Sequence, residues 1–263
     1  MYGTLTHAAI LLYLAAIALS ASRFFSGKPK AMGWSAAAMA GAGAAAHLAA
    51  LVLRGLEKGR FPAATMGEAL LLVSFFVVLI YLILYIFYKA HWFSFFVLPA
   101  AAVMLLVPLH MPLPEQSAVD FHHPLFASHT ALVLLAAAFL LGHAVMSMLY
   151  IWQEHALKAR RIFLAGHLSP PLDVCDRMGT RLLGLGFVCL TLGILTGALW
   201  AARARGNFFA WKFPEIFALL AWLLFGALLE LRLARGVRGR AAALLSLAGL
   251  LTLAAVFVGV ALT

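Results

Sequence analysis

Eight apolar stretches, each of a length that crosses a bilayer, constrain this chain more than any other feature. They fall at about 4–22, 31–53, 68–88, 92–109, 127–152, 180–201, 214–233 and 241–262. A spanning helix needs about 20 predominantly apolar residues. Inside lipid a helix satisfies its own backbone donors and acceptors, which an open sheet cannot do. The expectation is an all-α, polytopic membrane bundle of about eight transmembrane helices, forming a single transmembrane domain over residues 1–263. The composition agrees: 65% of residues are hydrophobic and 11% charged, too little polar surface for a domain solvated by water.

The net charge of +10 raises nucleic acid as a partner, and the placement of the charges removes it. Lys and Arg sit in short loops between apolar runs rather than along one basic stripe. Their asymmetry gives direction instead. Alternate loops carry Arg23, Lys28, Lys30, Lys89, Lys158, Arg160, Arg161, Arg177, Arg181, Arg232, Arg235, Arg238 and Arg240, against Arg54, Lys58, Arg60, Arg203, Arg205 and Lys212. The richer set is expected on the cytoplasmic side, which puts both termini and the loop after residue 200 outside. The first apolar run has no charged segment before it and reads as a retained helix rather than a cleaved signal. The Ala- and Gly-rich second run reads as central in the bundle. Pro99 is a kink candidate in the fourth run, and the 153–179 loop has room for one short surface helix. Cys175, placed in a loop, and Cys189, within a helix, are not expected to pair.

Four segments interrupt the apolar pattern. Gly59–Leu72 (GRFPAATMGEALLL) holds Thr65 and Glu68 at capping-box spacing, with Phe61-Pro62 as an interfacial anchor. His129 opens the fifth run, with His122 and His123 just before it. A histidine there is either an interfacial polar group or a haem axial ligand, because neutral imidazole is a common donor to haem iron. From Trp200 to Trp222, Phe208, Phe209 and Trp211 interleave with Arg203, Arg205 and Lys212. This mixture serves either as an anchoring belt or as a seat for a flat aromatic dianion, rings on the macrocycle and cations on its propionates. His47, His143 and Glu230 are ionisable groups within or at the ends of spans, hence functional candidates. Glu230 also has a plain reading, solvation beside Arg232. His129 and His143 are 14 residues apart, about 21 Å on one helical face, so they mark two levels of a route rather than one iron site.

Together these residues resemble the CcsA/ResC/HemX family of cytochrome c assembly and haem-handling membrane proteins, from about residue 43 to 262. CDRMGTRLLGLGFVCLTLGILTGALWA (Cys175–Ala201) is similar to the family pattern LDR-x3-R-x4-GF-x2-LT-x-GI-x-GA-x-WA. GRFPAATMGEAL is similar to GHFPLSNLYESL, His47 matches a histidine that often precedes that stretch, and the tail from Glu230 resembles LHxRxxxGWRGRxAA. The resemblance implies b-type haem, bound non-covalently at the outer face of a bacterial inner membrane by a tryptophan-rich loop and flanking histidines. Carried over residue by residue, it gives His129 as the outer axial ligand. The family positions supply no second one, so His47 is the candidate partner, with His122, His123 and His143, the last matching no family ligand, as lesser candidates. Trp200, Arg203, Arg205, Phe208, Phe209 and Trp211 are the surrounding site. The departures are specific. The family loop WGxxWxWDPKE is RGNFFAWKFPE here, keeping Gly206, Trp211 and Glu215. Glu230 stands where the family has a histidine, and the second outer histidine does not occur before Thr263.

This ligand set is what a HemX-like member would show. The resemblance implies a role in cytochrome c maturation or in HemX-like control of tetrapyrrole synthesis. Its expected partners are haem, membrane lipid, a second membrane assembly subunit, apocytochrome c or glutamyl-tRNA reductase. The alternatives are a scaffold subunit that has lost haem ligation, and a haem transporter using the His129/His143 line. In the leading reading the protein's own groups transform no substrate; a component of a haem lyase or synthetase is the enzyme reading left open beside it. The absence of GxSxG, HExxH, Walker and GxGxxG motifs disfavours a hydrolase or nucleotide enzyme.

Overall fold

A computed structural model describes residues 2–26, 31–88, 90–110, 123–159, 171–237 and 240–262. Every regular element among them is helical, and the chain divides into two compact units, Met1–His123 and Pro124–Thr263. The first contains α1 (Tyr2–Ser26), α2 (Ala31–Lys58), α3 (Met66–Tyr88), a 3-10 turn at His91–Phe93 and α4 (Ser94–His110). The second contains α5 (Pro124–Lys158), α6 (Leu172–Arg205), α7 (Phe213–Arg235) and α8 (Arg240–Leu262).

Seven of these eight helices are long and apolar enough to cross a membrane. The exception is the fourth, which the sequence reads as a full span. It has 17 residues with Pro99 and Pro108 inside, about 25 Å against a hydrocarbon core of about 30 Å. Helices α5 and α6 instead overrun their apolar cores, with 35 and 34 residues. They take up both ends of the 153–179 segment, which the sequence reads as a loop. The short surface helix expected there lies outside the described residues. Cys175 is correspondingly in the first turn of α6, buried, and both cysteines are free thiols.

In the first unit, Tyr13 of α1 is fully buried against α2. Gly43 makes room for it: a Cβ there would lie 2.6 Å from Tyr13 Cε1. Small residues do bring these backbones close, as expected for packing in lipid, yet α2 is not the most enclosed helix. Of its span 44% is buried, against 56% for α3. Single polar contacts tie the helices where lipid offers no competing partner. Ser74 Oγ donates to the Ala101 carbonyl at 3.0 Å, and Ser94 Oγ to Ser20 Oγ at 3.1 Å.

In the second unit α5 and α6 form a long antiparallel seam. Leu140 fills the notch at Gly186, and Met146 the notch at Gly179. Helix α7 is fastened to α6 by Trp222, whose Nε1–H donates to Thr191 Oγ1 at 2.9 Å and whose ring stacks on Phe187. Helix α8 closes on α5 through Ser246, which meets His143 at 2.7 Å and Ser147 at 3.2 Å.

Candidate functional site

Helix α5 starts at Pro124, whose ring suits the first position of a helix, and His129 follows in its second turn. The imidazole lies on the backbone of α6. Nδ1 is 2.7 Å from the Gly193 carbonyl oxygen. A carbonyl only accepts, so Nδ1 carries the proton and Nε2 of the neutral ring keeps its lone pair. Among the described residues Nε2 makes no hydrogen bond. Gly197 makes the approach possible: a Cβ there would stand 2.6 Å from His129 Cε1 and Nδ1. One turn earlier a Cβ at Gly193 would meet Val133 Cγ2 at 2.7 Å. The GILTG spacing thus opens a two-notch groove on one face of α6, and α5 lays Val133 and His129 into it.

Trp200 packs against Phe126, ring centroids 5.4 Å apart, which closes the seam on the far side of His129. Beyond it α6 ends at Arg205 and the chain turns on Gly206, φ 78°, left-handed backbone that glycine adopts without a Cβ clash. The 206–212 loop then presents Phe208 at 60% and Trp211 at 67% exposure, with Phe209 half-buried and its ring 5.8 Å from that of Trp211. Trp211 itself has φ 55°, a conformation that costs a non-glycine residue about 1 kcal/mol. Such strain persists where surrounding contacts impose it. Here Glu215 imposes it from the first turn of α7, accepting the Ala210 N–H at 2.7 Å and Arg205 Nη2 at 2.9 Å.

Arg205, read from the sequence as a cation for propionates, is paired with Glu215 and stays exposed, as do Arg203 and Lys212. Gly206, Trp211 and Glu215, the three loop positions shared with the family pattern, are those that set the backbone of the loop. Trp211 is also the most exposed ring of the loop, at 67%.

His143 lies deeper in the same seam, beside Gly179. It is fully buried, and both ring nitrogens are used. Nδ1–H donates to the Gly179 carbonyl at 2.9 Å, so Nε2 accepts from the Ser246 hydroxyl at 2.7 Å. That ring is a clasp of three helices and has no nitrogen to give to iron. Between the levels of His129 and His143, Val133 and Leu140 are seated in the seam against Gly193 and Gly186. His123 immediately precedes α5, and His122 lies outside the described residues. Glu230 is exposed; the buried charge at that end is Arg232, paired with Asp176 at 3.0 Å.

In the first unit His47 is fully buried. Its Nδ1 is 3.2 Å from Tyr13 Oη, its ring meets Phe75 edge-on, and Nε2 is buried with no hydrogen bond among the described residues. Further along the same helix, Arg54 starts a network that sequence spacing misses. Glu68, 1% exposed, accepts from Arg54 Nε at 3.1 Å, Arg60 Nη1 at 2.8 Å and the Ala64 N–H at 2.9 Å. The capping box is half present: Thr65 Oγ1 accepts the Glu68 N–H at 3.2 Å. The carboxylate binds the two arginines and Ala64 instead of completing the box. Gly59 at φ 63° returns the chain so that Arg60 can reach it. The stretch from Arg54 through Gly59 to Glu68 is therefore largely loop-building, with His47 earlier on the same helix.

One chemical feature fits a haem-type ligand at His129: an imidazole held from one nitrogen by a backbone carbonyl, which is how axial ligands are oriented. Among the described residues no group of three His, Cys, Asp or Glu converges.

Fold and site define a class, a multi-pass helical membrane protein with an imidazole set into a helix seam. The family described as "Cytochrome C assembly protein" matches residues 4–263, and the chain belongs to that family. It is 29% identical over 240 residues to "Cytochrome c biogenesis protein CcsA" of Parasynechococcus marenigrum (strain WH8102), covering 80% of this chain and 77% of that protein. The CcsA of Picosynechococcus sp. (strain ATCC 27264 / PCC 7002 / PR-6) is 41% identical over 97 residues, 35% of this chain and 29% of that one. Among solved structures, "Cytochrome c Heme Lyase CcmF" superposes with a TM-score of 0.71 at 18% identity, covering 100% of this chain and 46% of that one. The fold is shared, and the chain spans under half the length of that structure.

Proposed function

We infer that this protein handles haem for cytochrome c maturation, holding it non-covalently at the membrane face that carries the 206–212 loop. One observation carries the reading: the His129 Nδ1–H bond to Gly193, which leaves Nε2 as a lone-pair donor. His129 would supply the axial ligand, Phe208 and Trp211 the flat apolar contact, and Arg203 and Lys212 the charge for propionates. Bound there, haem supplies the porphyrin iron and vinyl groups that cytochrome c maturation delivers. The chain's own groups orient the macrocycle and balance its charge, and attachment to an apocytochrome falls to the partner. The positive-inside asymmetry supports placing this face outside the cytoplasmic membrane of a bacterium, with both termini on the same side. The lost loop tryptophans and Glu230 favour a HemX-like divergent member over a complete haem ligase.

The test is a haem titration of protein purified in detergent, followed by absorption. A Soret shift in the wild type that is lost in His129→Ala, with helix content retained, is the expected result. Unchanged affinity in His129→Ala, or no affinity in the wild type, overturns the proposal.

A further inference from the structure

The opposite end of the second unit holds a cavity that the haem reading does not use. The first turns of α6 and the last turn of α7 enclose about 300 Å³, lined by Asp176, Arg177, Thr180, Arg181, Arg232 and Leu233 among others. Arg232 is the fixed part. Its side chain is 7% exposed, and Nη1 donates to Asp176 Oδ1 at 3.0 Å and Thr180 Oγ1 at 3.1 Å. Arg177 and Arg181 are exposed and one turn apart, so they share a face of α6; Arg177 Nη2 also donates to Asp173 Oδ2 at 2.8 Å, an exposed pair. Counting Asp173, three guanidiniums stand against two carboxylates, a net positive end of apolar spans where charges are less screened than in bulk water.

The carbonyl end of α7, which would oppose an anion, is closed by its own turn. Gly236 takes φ 60° and the Val237 N–H caps the Leu231 carbonyl at 3.1 Å. The rim is apolar as well, with Leu233 69% exposed. An occupant matched to this lining is anionic at one end and apolar at the other. Basic pockets between transmembrane helices at the bilayer surface take anionic headgroups.

We propose that this cavity binds the phosphodiester of an anionic phospholipid. Arg177 and Arg181 meet the phosphate, the Asp176–Arg232 pair fixes the floor, and Leu233 lies along the acyl stem. The lipid bridges α6 and α7, the two helices that carry the 206–212 loop at their other ends.

The full chain is purified and exchanged with phosphatidylglycerol or phosphatidylcholine, and retained lipid is read by native mass spectrometry. Inorganic phosphate serves as competitor. Phosphatidylglycerol is expected to be retained over phosphatidylcholine, and to be lost about tenfold more readily from Arg177→Gln/Arg181→Gln. Both changes lie on the exposed side of α6, so circular dichroism and the haem titration at His129 are expected to match the wild type. Equal retention of the two lipids, or wild-type retention by the double variant, overturns the site. Displacement by millimolar inorganic phosphate with no lipid retained overturns the lipid assignment in favour of a free phosphate. Loss of haem affinity in His129→Ala is independent of every one of these outcomes.

Discussion

His129 and Gly197 share a volume that holds an imidazole ring or a Cβ, but not both: a Cβ on Gly197 would lie 2.6 Å from the ring. The glycine therefore fixes where the histidine points. A substitution that leaves every proposed haem contact in place can still move the ligand.

Gly197→Ala is expected to displace the ring and break its bond to Gly193. Haem affinity should fall by about tenfold or more, equivalent to about 1.4 kcal/mol, with helix content unchanged. Gly184→Ala, at a glycine with nothing within 4 Å, is the matched control and should titrate like the wild type. Equal titrations for the two variants would remove Gly197 from the site.

Trp211→Gly separates backbone from ring. Glycine takes φ 55° without strain, so the loop should gain about 1 kcal/mol of local stability, read by hydrogen exchange at residues 207–212. The lost ring should weaken haem binding by about 1 kcal/mol. A gain in affinity would mean that the indole is an anchor in lipid and not a contact for the ligand.

Glu215→Gln should act the other way. It weakens the bonds to Arg205 and Ala210 without removing any ring, and exposed pairs of this kind contribute about 1 kcal/mol or less. Faster exchange of the Ala210 amide, with a smaller loss of affinity than in His129→Ala, is the expected pattern.

His143→Ala should cost stability and spare the haem spectrum. It frees the Gly179 carbonyl and unlinks Ser246, and interhelical bonds in membranes average about 0.6 kcal/mol with a ceiling near ~2. A thermal melt in detergent reads the first effect and a titration the second. Lost haem binding with an unchanged melt would contradict the assignment of His143 as a clasp.

Glu68→Ala leaves Arg54 and Arg60 facing each other without the buried carboxylate between them. Breaking such a network costs about 3–5 kcal/mol, and this variant should have the lowest melting temperature of the series. A melt within a degree of the wild type would show that the arginines find other partners.

The helices are legible in the sequence because lipid imposes a simple rule, apolar residues in runs of spanning length. That rule fails at the fourth run, where an apolar stretch of 92–109 becomes a helix of 17 residues. Hydropathy reads apolarity and is blind to where the helix starts. His129 is legible too, as an imidazole at the head of a span. What makes it a donor is not, because the groove at Gly193 and Gly197 exists only when α6 lies against α5. The same limit explains Glu68. Its spacing to Thr65 is local and visible, whereas Arg54 and Arg60 reach it only after Gly59 has turned the chain. The engagement of Arg205 is hidden for a similar reason: the ten residues to Glu215 close into an ion pair only across the folded loop.

The frame made by Gly206, Trp211 and Glu215 has an evolutionary consequence. Because Gly206 and Glu215 hold the turn from either side, the side chains of residues 207–210 can be exchanged without unfolding the hairpin between α6 and α7. The one tryptophan of the family pattern inside that stretch is Phe209 here, a change of surface carried on the same scaffold.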